Sequence, residues 1–103
     1  MNLHSSREKE ILERVINILK DSLDPAKIIL FGSRGKGKNG RRSDFDVAVD
    51  QARPDDFKER KLLEEIEKAA GLYHVDVAYL KDVEPEFRSL VLKTGKVVYE
   101  RRT

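Results

Sequence analysis

Asp44 and Asp46 stand two residues apart, and a third aspartate, Asp76, lies in a later run of similar pattern. Carboxylates two apart on an extended chain point to one face, about 6.5 Å apart at Cα. Held so, they repel each other unless a cation relieves the repulsion. A hard oxygen pair suits Mg²⁺, which takes one or two carboxylates and completes its shell with water and substrate phosphates. The segment just upstream is suited to phosphate. Gly32-Ser33 leaves an apolar run, glycine there lets backbone approach a phosphate closely, and the serine hydroxyl with nearby N–H groups can donate to its oxygens. From Arg34 to Ser43 come five basic residues, Arg34, Lys36, Lys38, Arg41 and Arg42, and no acid. A cationic loop running straight into paired carboxylates fits the chemistry of a metal-bound polyphosphate.

The surrounding elements must deliver these groups. Ser5 with Glu8 spells a capping box. After it Ile11, Leu12, Val15, Ile16, Leu19 and Leu23 recur at helical spacing, predicting a helix over 6–22 that ends at Asp24-Pro25. The β-branched apolar run 27–31 predicts a buried strand. Residues 32–43 carry four glycines and no apolar side chain, which makes a loop. Residues 44–50 alternate: Phe45, Val47 and Val49 face one way, and Asp44, Asp46 and Ala48 the other. Pro54-Asp55-Asp56 opens a second helix bearing Phe57, Leu62, Leu63, Ile66, Ala69 and Ala70, stopped by Gly71. Residues 74–80 alternate again, Val75, Val77 and Tyr79 opposite Asp76 and Ala78. Glu84-Pro85 starts a last helix with Phe87, Leu90 and Val91 on one stripe, and Val97-Val98-Tyr99 makes a final strand. The apolar stripes are expected to be core. If strand 74–80 neighbours strand 44–50, Asp76 joins the other two carboxylates. Any one of these aspartates alone reads as a strand end or a solvent-facing residue. The three together, each opposite an apolar stripe and preceded by Gly-Ser, read as a site. Asp50 is expected to end its strand, His74 to pack or cap, and Tyr73, Tyr79 and Tyr99 to sit in the core or at its edge.

At 103 residues the chain fits one domain, 1–103, with tails expected at 1–5 and 101–103. Charged residues make up 39%, far above the usual quarter, so the apolar residues must be tightly patterned for the chain to fold. The heavy use of Lys, Arg and Glu is also found in heat-adapted proteins. No apolar run approaches a membrane span, no signal-peptide core opens the chain, and the expected location is the cytoplasm. With no cysteine there is no disulfide, thiolate metal site or cysteine nucleophile. The net charge of +2, from 21 Lys and Arg against 19 Asp and Glu, argues against bulk nucleic-acid binding.

Two familiar phosphate motifs nearly fit the loop and fail on context. Residues 32–39 approach the P-loop pattern, but Asn39 stands where a magnesium-binding hydroxyl is required. Gly35-Lys-Gly37-Lys-Asn-Gly40 matches G-x-G-x-x-G. Both need a helix next, whose N-terminus holds the phosphates, and here a strand begins at Asp44.

Gly32-Ser33, a ten-residue spacer over 34–43, Asp44-Phe45-Asp46, and then Asp76 within His74-Val-Asp76-Val resemble the signature of the polymerase-β-like nucleotidyltransferases. Chain length and spacer look most like the minimal nucleotidyltransferases, the antitoxin halves of HEPN/MNT toxin–antitoxin pairs. The resemblance implies an α+β fold, a small mixed β-sheet covered by helices in the order α-β-β-α-β-α-β. It implies ATP as donor and Mg²⁺ as cofactor, in a two-metal site on Asp44, Asp46 and Asp76. Gly32 and Ser33 would hold the β- and γ-phosphates, with Arg34 or Lys38 offsetting charge on departing pyrophosphate. Asp76 could also help remove the acceptor proton. The family often reads Gly-Ser-x-Ala-Arg-Gly where this chain has Gly32-Ser-Arg-Gly-Lys-Gly37, so which basic side chain meets the triphosphate stays open.

A chain this short spends its core on the sheet and has little surface for an acceptor pocket, so the acceptor is expected on another macromolecule. The resemblance supplies one: a tyrosine hydroxyl of a partner HEPN toxin, silenced by AMP transfer in a type VII toxin–antitoxin pair. Other readings stay open. One is an antitoxin that neutralises by binding alone. Another is a small-molecule nucleotidyltransferase completed by a second chain. A nucleic-acid module using the basic loop would need aromatic residues interleaved with the basic ones, and that loop has none.

Overall fold

A computed structural model of the chain describes residues 6–31 and 44–102. The sequence-expected cap Ser5 and the phosphate segment with Gly32, Ser33, Arg34 and Lys38 lie outside the described residues. The elements are α1 (Ser6–Leu23), β1 (Lys27–Phe31), β2 (Phe45–Val49), α2 (Asp56–Ala70), β3 (Val75–Tyr79), α3 (Pro85–Thr94) and β4 (Lys96–Glu100). Their order matches the expected one.

The four strands form one mixed sheet in the order β3-β2-β1-β4. β1 runs antiparallel to both β2 and β4, and β2 runs parallel to β3. The parallel pair is made by the crossover through α2, as strands running the same way require a long connection. β2 lies inside the sheet, and Phe45, Val47, Ala48 and Val49 are all buried.

One sheet face carries most of the core. Ile11, Leu12, Val15 and Leu19 of α1, spaced along one helical stripe, meet Leu62, Ile66 and Ala70 of α2 over Ile28, Phe45, Val47, Val49 and Tyr79. Each fully buried aliphatic or Phe side chain contributes about 1.5–3 kcal/mol. Asp55 caps α2, its carboxylate accepting the Lys58 N–H at 2.8 Å. Gly71 closes the helix at φ 65°, the left-handed region that favours glycine.

Among the described residues, α3 covers the other face. Val91 packs on Ile29, Ala48 and Leu80, with Phe31, Ala78 and Val83 around them. Small side chains at 48 and 78 let the helix approach. At Gly95 a Cβ would stand 2.6 Å from the Val91 carbonyl oxygen and against Ile29 Cγ2, so only glycine fits where α3 turns into β4.

Two expectations are corrected. The stripes of α2 and α3 are not wholly core: Phe57, Leu63, Phe87 and Leu90 are exposed, and Val91 is the buried residue of α3. A ten-residue helix lying on one side of a four-stranded sheet has room to bury only its innermost row. Arg101, expected in a tail, is held instead. Its N–H donates to the Ala26 carbonyl at 2.8 Å and its guanidinium to the Asp24 carbonyl at 2.7 Å, which extends the β1–β4 edge by one residue.

A polar knot ties the far end of the parallel pair. Arg53 bridges Asp56 at 2.7 Å and Glu59 at 2.7 Å, and its backbone N–H donates to Asp82 at 2.5 Å. Tyr79 lies beneath it, 6% exposed, its hydroxyl buried beside the Glu59 carboxylate with no well-formed hydrogen bond among the described residues. Burial pushes its phenol up to about 12, and the neighbouring Glu59 carboxylate adds to the rise. Among the described residues no helix is long and apolar enough to cross a membrane.

Candidate active site

The parallel register decides where the acids meet. Asp46 on β2 pairs with Asp76 on β3, and Ala48 pairs with Ala78 two residues on. Residues paired in register share a face, and neighbouring strands lie about 4.8 Å apart. That face is the one α3 covers, because Ala48 and Ala78 both sit under the helix. Asp46 and Asp76 therefore stand side by side on the rim of that layer, and the Asp76 side chain is 38% exposed. On the other side of β2, Phe31 pairs with Asp46. The result is a row across three strands: Phe31, Asp46, Asp76.

Asp44 lies one residue before β2 rather than inside it, and its neighbour across the sheet edge is His74. The Asp44 and Phe45 N–H groups both donate to the His74 carbonyl, at 2.9 and 3.1 Å. In return the His74 N–H donates to Asp44 Oδ2 at 2.8 Å. The exchange fixes the Asp44 backbone beside the turn that enters β3. It also turns one carboxylate oxygen toward that turn.

His74, expected to pack or cap, makes that backbone exchange with Asp44 and also brings its ring beside Asp76. Its ring is 62% exposed, with Nε2 3.5 Å from Asp76 Oδ1. The signal was available: His74 precedes Asp76 by two, so strand alternation puts both on one face.

The carboxylate oxygens are hard donors, and this set fits Mg²⁺. A cage of three or more ligating side chains is not formed among the described residues. Mg²⁺ does not need one, since it characteristically binds one or two carboxylates and fills its octahedron with phosphate oxygens and water. Asp46 with Asp76, or Asp44 with Asp46, is sufficient for that mode. A shallow apolar groove of about 380 Å³ between α1 and α2, lined by Ser22, Phe57, Lys61 and Leu62, belongs to the helical layer on the opposite face of the sheet and has no part in this site.

Comparison with known proteins bears on this geometry. Residues 13–103 match the family described as polymerase beta, nucleotidyltransferase. The chain is 32% identical over 95 residues to the probable protein adenylyltransferase MntA of Haemophilus influenzae, covering 91% of this chain and 83% of that protein. Its fold is similar to a chain of the crystallised MntA–HpeT toxin–antitoxin complex, with a TM-score of 0.66, 25% identity, and coverage of 87% of this chain and 73% of that one. The crystallised complex is a mutant in which two aspartates, spaced two apart as Asp44 and Asp46 are, were changed to glutamate.

Proposed function

This chain belongs to the polymerase-β nucleotidyltransferase family, and from that premise we propose that it transfers AMP from Mg-ATP to a hydroxyl, a tyrosine, of a partner HEPN toxin, acting as the antitoxin of that pair in the cytoplasm. The observation that carries the reading is the register of Asp46 with Asp76 on one face, with Asp44 tied beside them. The likeness to MntA and to the MntA–HpeT complex supports the toxin partner.

In this reading Asp44 and Asp46 hold the cation that carries the triphosphate, and Asp46 with Asp76 faces the acceptor. The bound cation supplies charge neutralisation on the attacked phosphate and on the leaving oxygen. The tyrosine oxygen forms a bond to the α-phosphorus. The bond from that phosphorus to the α,β-bridging oxygen breaks, and pyrophosphate leaves with the bonding electrons. The phenol proton passes to a carboxylate, Asp76 in this reading, and thence to water. Gly32 and Ser33 hold the β- and γ-phosphates, and Arg34 or Lys38 offsets charge on pyrophosphate. The protein forms no covalent bond to substrate in this scheme. Positioning and charge compensation carry the reaction.

The test is intact-mass measurement of the co-expressed toxin after incubation with Mg-ATP and the wild-type chain. The expected result is a mass increase of one or more adenylyl groups that is absent with Asp46→Asn. A toxin neutralised with no change in mass would overturn the transfer reading in favour of neutralisation by binding.

A further inference from the structure

Phe31 belongs to the same row as the carboxylates. It pairs with Asp46 across β1 and β2, so their Cβ atoms lie about 5 Å apart on one face. Phe87 of α3 stands against it, ring centroids 5.5 Å apart and planes at 80°. Phe87 remains 36% exposed although it sits on the helix that closes this face. The sheet thus presents, side by side, an acidic pair suited to a metal-bound phosphate and two perpendicular aromatic planes. A ligand matching both has a polyphosphate at one end and a flat heterocycle at the other, one sugar apart.

We propose that Phe31 and Phe87 are the wall against which the base of the nucleoside triphosphate stacks, with Phe87 the positioning residue that fixes the donor's orientation. The inference rests on the nucleotide-binding reading of Asp44 and Asp46 and adds to it where the base lies. A base can lie on one ring plane while its edge meets the other, and every base has a π-face. Stacking on its own therefore reads no hydrogen-bond pattern, and purine triphosphates should depend on Phe87 alike.

The experiment is calorimetric titration of the full chain with Mg-ATP and, separately, with Mg-tripolyphosphate, which has the phosphates and no base. Phe87→Ala should weaken ATP binding about tenfold, as loss of one base–aromatic stack does, and leave tripolyphosphate binding unchanged. Phe87→Tyr, which keeps the ring, should restore ATP binding. Leu90→Ala, which removes a neighbouring exposed apolar side chain of α3, should change neither ligand. The proposal is overturned if Phe87→Ala weakens both ligands equally, or neither, while wild type still binds them. If wild type binds neither ligand, the nucleotide-binding reading falls and the stacking wall falls with it.

Discussion

The Asp44 carboxylate accepts the backbone N–H of His74 at 2.8 Å, while the His74 carbonyl accepts the N–H of Asp44 at 2.9 Å. This reciprocal pair joins the start of β2 to the start of β3 and sets the depth at which Asp46 and Asp76 come level. Backbone pairing in register brings Asp46 level with Asp76, and the Asp44 side chain is held at the entry to β3. Removing the charge of Asp46, which takes no part in this exchange, should separate chemistry from folding, whereas a change at Asp44 touches both.

Asp46→Asn keeps shape and removes charge. Transfer to the partner should fall at least a hundredfold. Wild type should show a rise in thermal midpoint with Mg-ATP, since binding at a hundred times Kd adds about 2.7 kcal/mol. EDTA should abolish that rise, and Asp46→Asn should lack it with its own ligand-free midpoint near wild type. A full ligand-induced rise in the variant would remove Asp46 from the site. Scanning calorimetry reads all of these.

Gly95→Ala should destabilise the fold by about 1–3 kcal/mol, the usual cost of forcing a methyl into a filled space. The new Cβ meets the Val91 carbonyl and Ile29 together, one backbone and one buried, so neither gives way cheaply. Denaturant unfolding measures it, and an unchanged midpoint would show that α3 can move off the sheet.

Tyr79 makes alkaline stability its own test. An unfolded tyrosine ionises near 10, and burial holds the folded group at about 12. The folded pKa is raised, so this contribution is fully present below pH 10 and is lost as pH climbs from 10 toward 12. Tyr79→Phe should flatten the stability loss in that window. At pH 7 it should cost about 1 kcal/mol or less, because the deleted hydroxyl is buried beside Glu59 with no well-formed hydrogen bond among the described residues. Chemical denaturation at pH 7, 9 and 11 provides the comparison.

Arg101→Ala should cost about 0.5–1.5 kcal/mol, the net worth of one hydrogen bond, here to the Asp24 carbonyl. The effect should fall on the β1–β4 edge. Amide exchange at Lys27 and Ile28 should quicken while exchange in β3 is unchanged.

The sequence carried the element order and the common face of Asp46 and Asp76, because alternation along a strand is a local property, whereas Asp44 stands just outside its strand. It could not state which strands are neighbours. That Asp76 stands level with Asp46, and not one pair above or below, follows from a register set by α2 and by the Asp44–His74 exchange. The exposure of Phe87 and Leu90 was likewise hidden, since periodicity marks a helix face but not how much of that face finds a partner. Arg101 looked like a loose end because its anchors, Asp24 and Ala26, lie at the other end of the chain. Gly32, Ser33, Arg34 and Lys38 remain readings of the sequence.

Asp46 and Asp76 meet only after the chain has passed through α2 and returned to the sheet. Asp44 and Asp46 are local to one segment, but the third acid comes from the far side of the crossover. A nascent chain paused within α2 on the ribosome would already contain β1, β2 and two of the three acids, yet not Asp76. Under the proposed function, the full set of three acids exists only once β3 has been synthesised, so a product truncated before it lacks the residue assigned to the acceptor side.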